Sequence, residues 1–359
     1  MSNFLFNKAL YDLKAYVPGE QPSGESQVIK LNTNENPYPP SPWILEAGEN
    51  ILWEGHLRKY PSPDGKLLRE SIAEVEEISP ENILVTNGSD EGLAILFKAI
   101  LEKKDKLIMP YPTYSLYPVL ADIQMNKIEI EKVPLLENLH LPFSELKKRK
   151  GKFMTFASPN APTGILEKKE ELIELVKSFP GMVLCDEAYI DFAPEDSSLI
   201  REATHLENLV VSRTFSKSYS LAGLRVGYLV STKENITLLK KIKDSYNLGM
   251  LEQAIACEAV RDREYFFLCR RKVLKTRETS RKCLEDLGFT VIPSDANFLF
   301  VMPPKGFTAE ELFLYLKEQN ILIRYFSEGT TSKYLRISIG IQEEMQVLHE
   351  KLKEYLKRH

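Results

Sequence analysis

The chain has 359 residues, 43% hydrophobic and 27% charged, with a formal net charge of -4 and a sequence pI of about 5.9. That is more than one ordinary domain needs, so two unequal domains are expected. The mildly acidic balance excludes a broad nucleic-acid surface, and no apolar run approaches the ~20 residues that span a bilayer.

Nothing in MSNFLFNKAL reads as a signal peptide, so a soluble, cytoplasmic protein is expected. Cys185, Cys257, Cys269 and Cys283 form no C-x-x-C pair, and no His/Cys cluster has zinc spacing. Free thiols in a reducing compartment follow.

The first 45 residues are rich in Pro, Gly and Asn and read as an extended arm. From Asn82 onward, short apolar runs alternate with helical patterns. ILVT leads into EGLAILFKAILEK, KLIMP into a turn and helix, and KFMTFASP into EKKEELIELVKSF. MVLCDEAY and NLVVSRTF follow. Such alternation predicts an α/β unit with a mostly parallel sheet between helices. From Leu251 to Gly288 a single long helix with a solvated basic face is expected. TVIPSDANFLFVMP, NILIRYF and YLRISIG then read as strands of a smaller α+β domain. The division is a large domain over 33–249, with the arm 1–32 and residues 250–359 forming the rest.

In open parallel sheets, ligands sit at the carboxyl ends of the strands. Asn87-Gly88-Ser89-Asp90-Glu91 follows the first strand and opens a helix, where backbone N–H groups suit a phosphate or simply an N-cap. Tyr111-Pro112-Thr113-Tyr114, Pro159 to Gly164, Asp186 to Tyr189 and Arg213 to Lys217 follow the others. Polar, aromatic and basic groups therefore converge on one edge. Lys217, between two serines after a buried strand, lies on no helix face; it is either a surface lysine in a loop or a desolvated lysine, which is a nucleophilic amine. There is no P-loop, G-x-G-x-x-G, H-E-x-x-H or G-x-S-x-G motif.

The run SKSYSLAGLRVGY (Ser216 to Tyr228) closely resembles the lysine signature of fold-type I pyridoxal-phosphate aminotransferases. LNTNENPYPPSP, KYPSPDG, TNGSDEGL, SPNAPTG, CDEAYIDF and YLRISIG match in the family's order over nearly the whole chain. The arm Tyr16-Val17-Pro18-Gly19, NENP, DEAYIDF and the Ile323–Phe326 and Leu335–Ile337 segments resemble the histidinol-phosphate aminotransferase group. The resemblance implies that Lys217 carries the cofactor as an aldimine and moves protons in ping-pong turns. Asp186 would pair with the pyridine nitrogen, Tyr189 would donate to the phenolic oxygen, and Tyr114 would stack on the ring. Gly88, Ser89, Asp90, Thr214, Ser216 and Arg225 would hold the cofactor's phosphate, with Tyr60 reaching across a homodimer. Arg336 would grip the carboxylate of glutamate, and Arg324, Tyr16 and Asn36 would complete a substrate site shared by glutamate and histidinol phosphate.

One position departs from the family. The asparagine before Pro-Thr-Gly, which contacts the phenolic oxygen, is Ala161 here. Tyr189 is then left alone, or Asn160 or a water substitutes, and the imine pKa should exceed that of relatives with the asparagine. An aromatic aminotransferase and a phosphothreonine decarboxylase use the same scaffold. A regulatory binding module would be expected to carry a DNA-binding unit ahead of the aminotransferase-like domain, and the roughly thirty residues before LNTNENP are too few for one.

Overall fold

The computed structural model describes residues 5–6, 8–11, 13–16, 19–22, 28–125 and 127–358. Val17 and Pro18 of the arm lie outside them. The arm enters through β1 (Ile29–Lys30). A seven-stranded sheet follows from β2 (Ile83–Thr86), β3 (Lys106–Tyr111), β4 (Glu129–Pro134), β5 (Phe153–Ala157), β6 (Met182–Asp186), β7 (Leu209–Thr214) and β8 (Gly227–Val230), in the order β2-β8-β7-β6-β5-β3-β4. Only β8 runs against its neighbours.

Both faces of this sheet are covered, which is why its strands read as unbroken apolar runs. Val183 and Cys185 pack into a core with Leu68, Ile72 and Val260; Leu184 and Val210 pack into another with Leu93 and Phe97. Two strands of this sheet, β4 and β8, fall outside the expected strand–helix alternation. β4, Glu-Ile-Glu-Lys-Val-Pro, is a charged edge strand with only Val133 buried. β8, Gly-Tyr-Leu-Val, is short and fully buried and lies at the end of the run that carries the lysine signature.

The smaller sheet consists of β9 (Thr290–Ile292), β10 (Phe298–Met302), β12 (Arg324–Tyr325) and β13 (Leu335–Ser338), in the order β12-β13-β10-β9. β11 (Ile321–Leu322) pairs instead with β1 of the arm. Leu31 donates to the Leu322 carbonyl at 2.7 Å and accepts from Ser338 at 2.9 Å, so the arm is stitched into the second core.

The long helix expected from Leu251 to Gly288 is two helices, Met250–Arg261 and Arg263–Asp286. Asp262 ends the first in a non-helical conformation, and its carboxylate accepts the Tyr265 N–H, capping the second. The basic face is only partly solvated. Arg270 donates to the Asp191 and Ala193 carbonyls at 2.6 Å, and Arg277 to the Ala296 carbonyl at 2.8 Å. These guanidiniums satisfy backbone acceptors of the loop after Tyr189 and of the turn before β10, outside any strand ladder. All four cysteines are free thiols, and no described helix is long and apolar enough to cross a membrane.

Candidate active site

The strand ends of the large sheet and the tips of β12 and β13 enclose one cavity of about 710 Å³. Ser89, Asp90, Tyr114, Asp186, Tyr189 and Thr214 line it from the large sheet. Ser216, Lys217 and Arg225 line it from the loop after β7. Tyr16, Arg324 and Arg336 reach it from the arm and the small sheet.

At its floor Asp186, 4% exposed, accepts from Tyr117 at 2.9 Å, Ser212 at 2.8 Å and the Ala188 N–H at 3.2 Å. Ser212 is its register partner on β7. Burial raises the carboxyl pKa, and these hydrogen bonds oppose the rise. Among the described residues Asp186 has no cationic partner. A buried carboxylate so placed suits an incoming cation such as a protonated pyridine nitrogen. Tyr117 and Ser212 carry no motif signal; only the alternation of β7, which sends Ser212 and Thr214 to one face and Arg213 to the other, hints at Ser212. Arg213 is tied to Glu187, Asp191 and Glu76 away from the cavity.

At one end lies an anion cup. The helix Gly88–Ile100 begins without a side-chain cap, leaving its first N–H groups available. Arg225 bonds the Asp90 carboxylate at 3.0 Å and Ser216 Oγ at 3.3 Å. Gly88 adopts φ +73°, and a Cβ there would lie 2.6 Å from the Arg225 guanidinium. Gly88 is thus a cradle position: it contributes space rather than a contact. A side chain would push the guanidinium out of the cup. Tyr114 packs edge-on to Tyr16 and Tyr117 and leaves a ring face for a planar ligand. A cofactor with a basic aromatic nitrogen at one end and a phosphate at the other fits these donors, which matches pyridoxal phosphate.

Between floor and cup, the Lys217 amine donates to the Thr33 carbonyl at 2.9 Å. Burial, reinforced by the nearby Arg336 charge, pushes its pKa down to about 8, while Glu35 and Asp90 pull upward. At that value about one amine in ten is neutral at pH 7, against about one in three thousand for an ordinary lysine. Only the neutral amine attacks an aldehyde. Uptake of pyridoxal phosphate by the cofactor-free protein, followed by its visible band in a stopped-flow instrument, should therefore accelerate with pH up to about 8 and then level off. A rate still climbing at pH 10 would show the amine to be unperturbed.

Three expected site residues lie elsewhere. Asn160 is turned into its own loop: Nδ2 donates to the Pro112 carbonyl and Thr163 Oγ1, and Oδ1 accepts from Thr113. It does not line the cavity, so it supplies no amide in place of Ala161. Asn36 donates to the Ser218 carbonyl at 3.1 Å, tying the arm to the loop after Lys217. Tyr60 is 78% exposed and stacks on Tyr246 at 4.4 Å, outside its own chain's cavity.

A family profile described as aminotransferase class I and II matches residues 26–352. The chain is 42% identical over 358 residues to a histidinol-phosphate aminotransferase 1 of Trichormus variabilis, covering 99% of this chain and all of that one. It is 40% identical over 352 residues to a histidinol-phosphate aminotransferase of Clostridium botulinum, covering 97% of each. The solved histidinol-phosphate aminotransferase of Sinorhizobium meliloti in complex with pyridoxal-5'-phosphate has the same fold, with a TM-score of 0.89 at 24% identity over 99% of both chains. The chain therefore belongs to the class I and II aminotransferase family and is a pyridoxal-phosphate-dependent aminotransferase.

Proposed function

We propose that this aminotransferase takes its amino group from histidinol phosphate and passes it to 2-oxoglutarate in alternating half-reactions, a step of histidine biosynthesis. One observation carries the substrate assignment. Arg324 on β12 and Arg336 on β13 are direct cross-strand partners, and both face the cavity. Like charges placed opposite each other repel. Neither has a carboxylate partner among the described residues. Arg336 donates to the Asn32 carbonyl at 3.0 Å, yet its buried Nε has no acceptor. Burial, with Arg324 adding to it, holds its pKa below the usual guanidinium range. Two facing guanidiniums suit a phosphate dianion better than a single carboxylate.

Bound pyridoxal phosphate supplies an aldehyde that condenses with amines and a ring that takes up the electron pair left when the donor's C–H bond breaks. In this reading Lys217 Nζ holds the cofactor between turnovers and then moves the proton. Asp186 keeps the ring nitrogen protonated, Tyr189 donates to the phenolic oxygen, and Tyr114 covers the ring. The helix start, Ser216, Thr214 and Arg225 hold the phosphate. Arg336 serves the carboxylate of glutamate and the phosphate of histidinol phosphate in turn, with Arg324 and Tyr16 beside it.

In the same reading the enzyme is a homodimer. Trp43, Leu45, Trp53 and Leu57 are all more than half exposed, and such an apolar stretch favours contact with a second copy. That contact would carry Tyr60 toward the other subunit's phosphate cup.

The assignment is tested by titrating the visible band of the holoenzyme with histidinol phosphate, glutamate and phenylalanine. Bleaching by the first two at low concentration, and weakly by the third, supports it. A strong response to phenylalanine with none to histidinol phosphate sinks it. Arg324→Gln should raise KM for histidinol phosphate about 10- to 100-fold, and that for glutamate far less, because a charge-assisted contact is worth roughly 1.5–3 kcal/mol. Equal losses for both substrates would return Arg324 to a structural role.

A further inference from the structure

Ala161 cannot donate to the cofactor's phenolic oxygen, and Asn160 is occupied elsewhere. The residue behind Tyr189 is a different amide. Asn34 sits in the arm, 1% exposed, at φ +57°. Its N–H donates to Ser338 Oγ at 2.8 Å, and the Ser338 hydroxyl donates back to Asn34 Oδ1 at 2.9 Å. Its carbonyl accepts from Asn297 Nδ2 at 2.9 Å. With Oδ1 engaged by Ser338, Nδ2 is the atom that faces Tyr189, and it donates to the phenol oxygen at 3.0 Å. The ring of Tyr189 is fixed edge-on against Phe298 at 5.1 Å, in the apolar cluster that contains Ala161.

We infer that Asn34 is a positioning residue for Tyr189 and acts in place of the donor missing at 161. By filling an acceptor site on the phenol oxygen, it leaves that oxygen's single proton to point into the cavity. By stabilising charge on the same oxygen, it makes the phenol a stronger donor. Burial raises the Tyr189 pKa, and the Arg336 charge and then the Asn34 hydrogen bond oppose it. A stronger donor withdraws negative charge from the cofactor's phenolic oxygen, and that charge is what retains the proton on Lys217 Nζ. Asn34 therefore lowers the pH at which Lys217 Nζ gives up its proton in the holoenzyme, acting through the Tyr189 hydroxyl. The inference rests on the proposed contact between Tyr189 and the cofactor.

The test is the pH midpoint of the holoenzyme's visible band in the wild type, Asn34→Gly, Asn34→Asp, Tyr189→Phe and the double variant N34G/Y189F. Glycine and aspartate both tolerate the left-handed conformation at 34, so the backbone bonds to Ser338 and Asn297 can persist. Asn34→Gly should raise the midpoint by about 0.5–1 unit. Asn34→Asp, the same shape without the donor, should move it in the same direction. Tyr189→Phe should raise it further, and the double variant should match Tyr189→Phe alone. If Tyr189→Phe shifts the midpoint and neither Asn34 variant does, the role of Asn34 is wrong. Equal Asn34→Gly shifts with and without the tyrosine hydroxyl would also overturn it, since Asn34 would then act by another route. If Tyr189→Phe itself produces no shift, the Tyr189 contact fails first and this inference falls with it.

Discussion

Lys217→Ala should lower turnover by about 10⁴-fold or more, because in the proposed function it removes both the covalent anchor and the group that moves the proton. The distinguishing measurement is chemical. After borohydride reduction, the wild-type protein should retain the cofactor's mass on the peptide containing Lys217, and the variant should retain none. The cavity walls should survive the change. Among the described residues the amine makes one hydrogen bond, to the Thr33 carbonyl, and its neighbours Ser216 and Ser218 are held by partners of their own. Pyridoxal phosphate should therefore still bind non-covalently, through Arg225 and the start of the helix Gly88–Ile100. A small primary amine added to the buffer should restore part of the rate by taking over the proton. Covalent retention in the variant would place the anchor at another lysine.

Asp186→Asn should reduce kcat/KM by about 10²- to 10⁴-fold while leaving the fold intact. Losing one partner of a buried ion pair costs roughly 3–5 kcal/mol, and here the other partner would be the protonated ring nitrogen. The effect on stability should run the other way in the cofactor-free protein. Burial holds the Asp186 carboxyl pKa above its ordinary value. A carboxyl whose folded pKa is raised contributes stability below its unfolded pKa and loses it as pH rises through the folded pKa. Above that folded pKa the ionised group is a cost in the empty cavity, opposed by the Ser212, Tyr117 and Ala188 hydrogen bonds and further offset when a cation arrives. The cofactor-free variant should melt no lower than the cofactor-free wild type, and the stabilisation gained on adding pyridoxal phosphate should shrink. An Asn variant with unchanged kcat/KM would remove Asp186 from the chemistry. One that melts much earlier without cofactor would make it a structural cap.

Much of the large domain's frame is legible because strands buried on both faces must be apolar throughout. β2, β3, β5, β6 and β7 all lie where such runs occur. β4 is an edge strand whose ladder needs one neighbour only, and its charged side chains conceal it. The helix expected over 251–288 shows the opposite limit. Its periodicity is real, but a single aspartate that caps better than it propagates divides it in two. Asp262 also accepts from Ser41 of the arm at 2.6 Å, a contact 221 positions away that no local pattern contains.

The groups at the strand ends can be read from the order of residues alone. A parallel sheet delivers Ser89, Asp186, Thr214 and Lys217 to one edge whatever the loops do, and they line one cavity. The glycine before Ser89 is legible for the same reason, because a helix that opens at a strand end needs a sharp turn there. The directions of the side chains and the identity of their partners come from the packing of separate elements. Asn160 stands one residue from the expected donor position, yet its amide turns into its own loop. Asn34 lies 155 positions from Tyr189 and reaches its hydroxyl. Tyr117 and Ser212 hold Asp186 from a helix and a neighbouring strand. Arg324 and Arg336 become facing charges only through the register of β12 on β13. The physical reason is common to all of these. Burial and periodicity are properties of a single element and leave a local trace. A hydrogen bond needs two atoms within about 3 Å at a defined angle, and that depends on how separate elements pack.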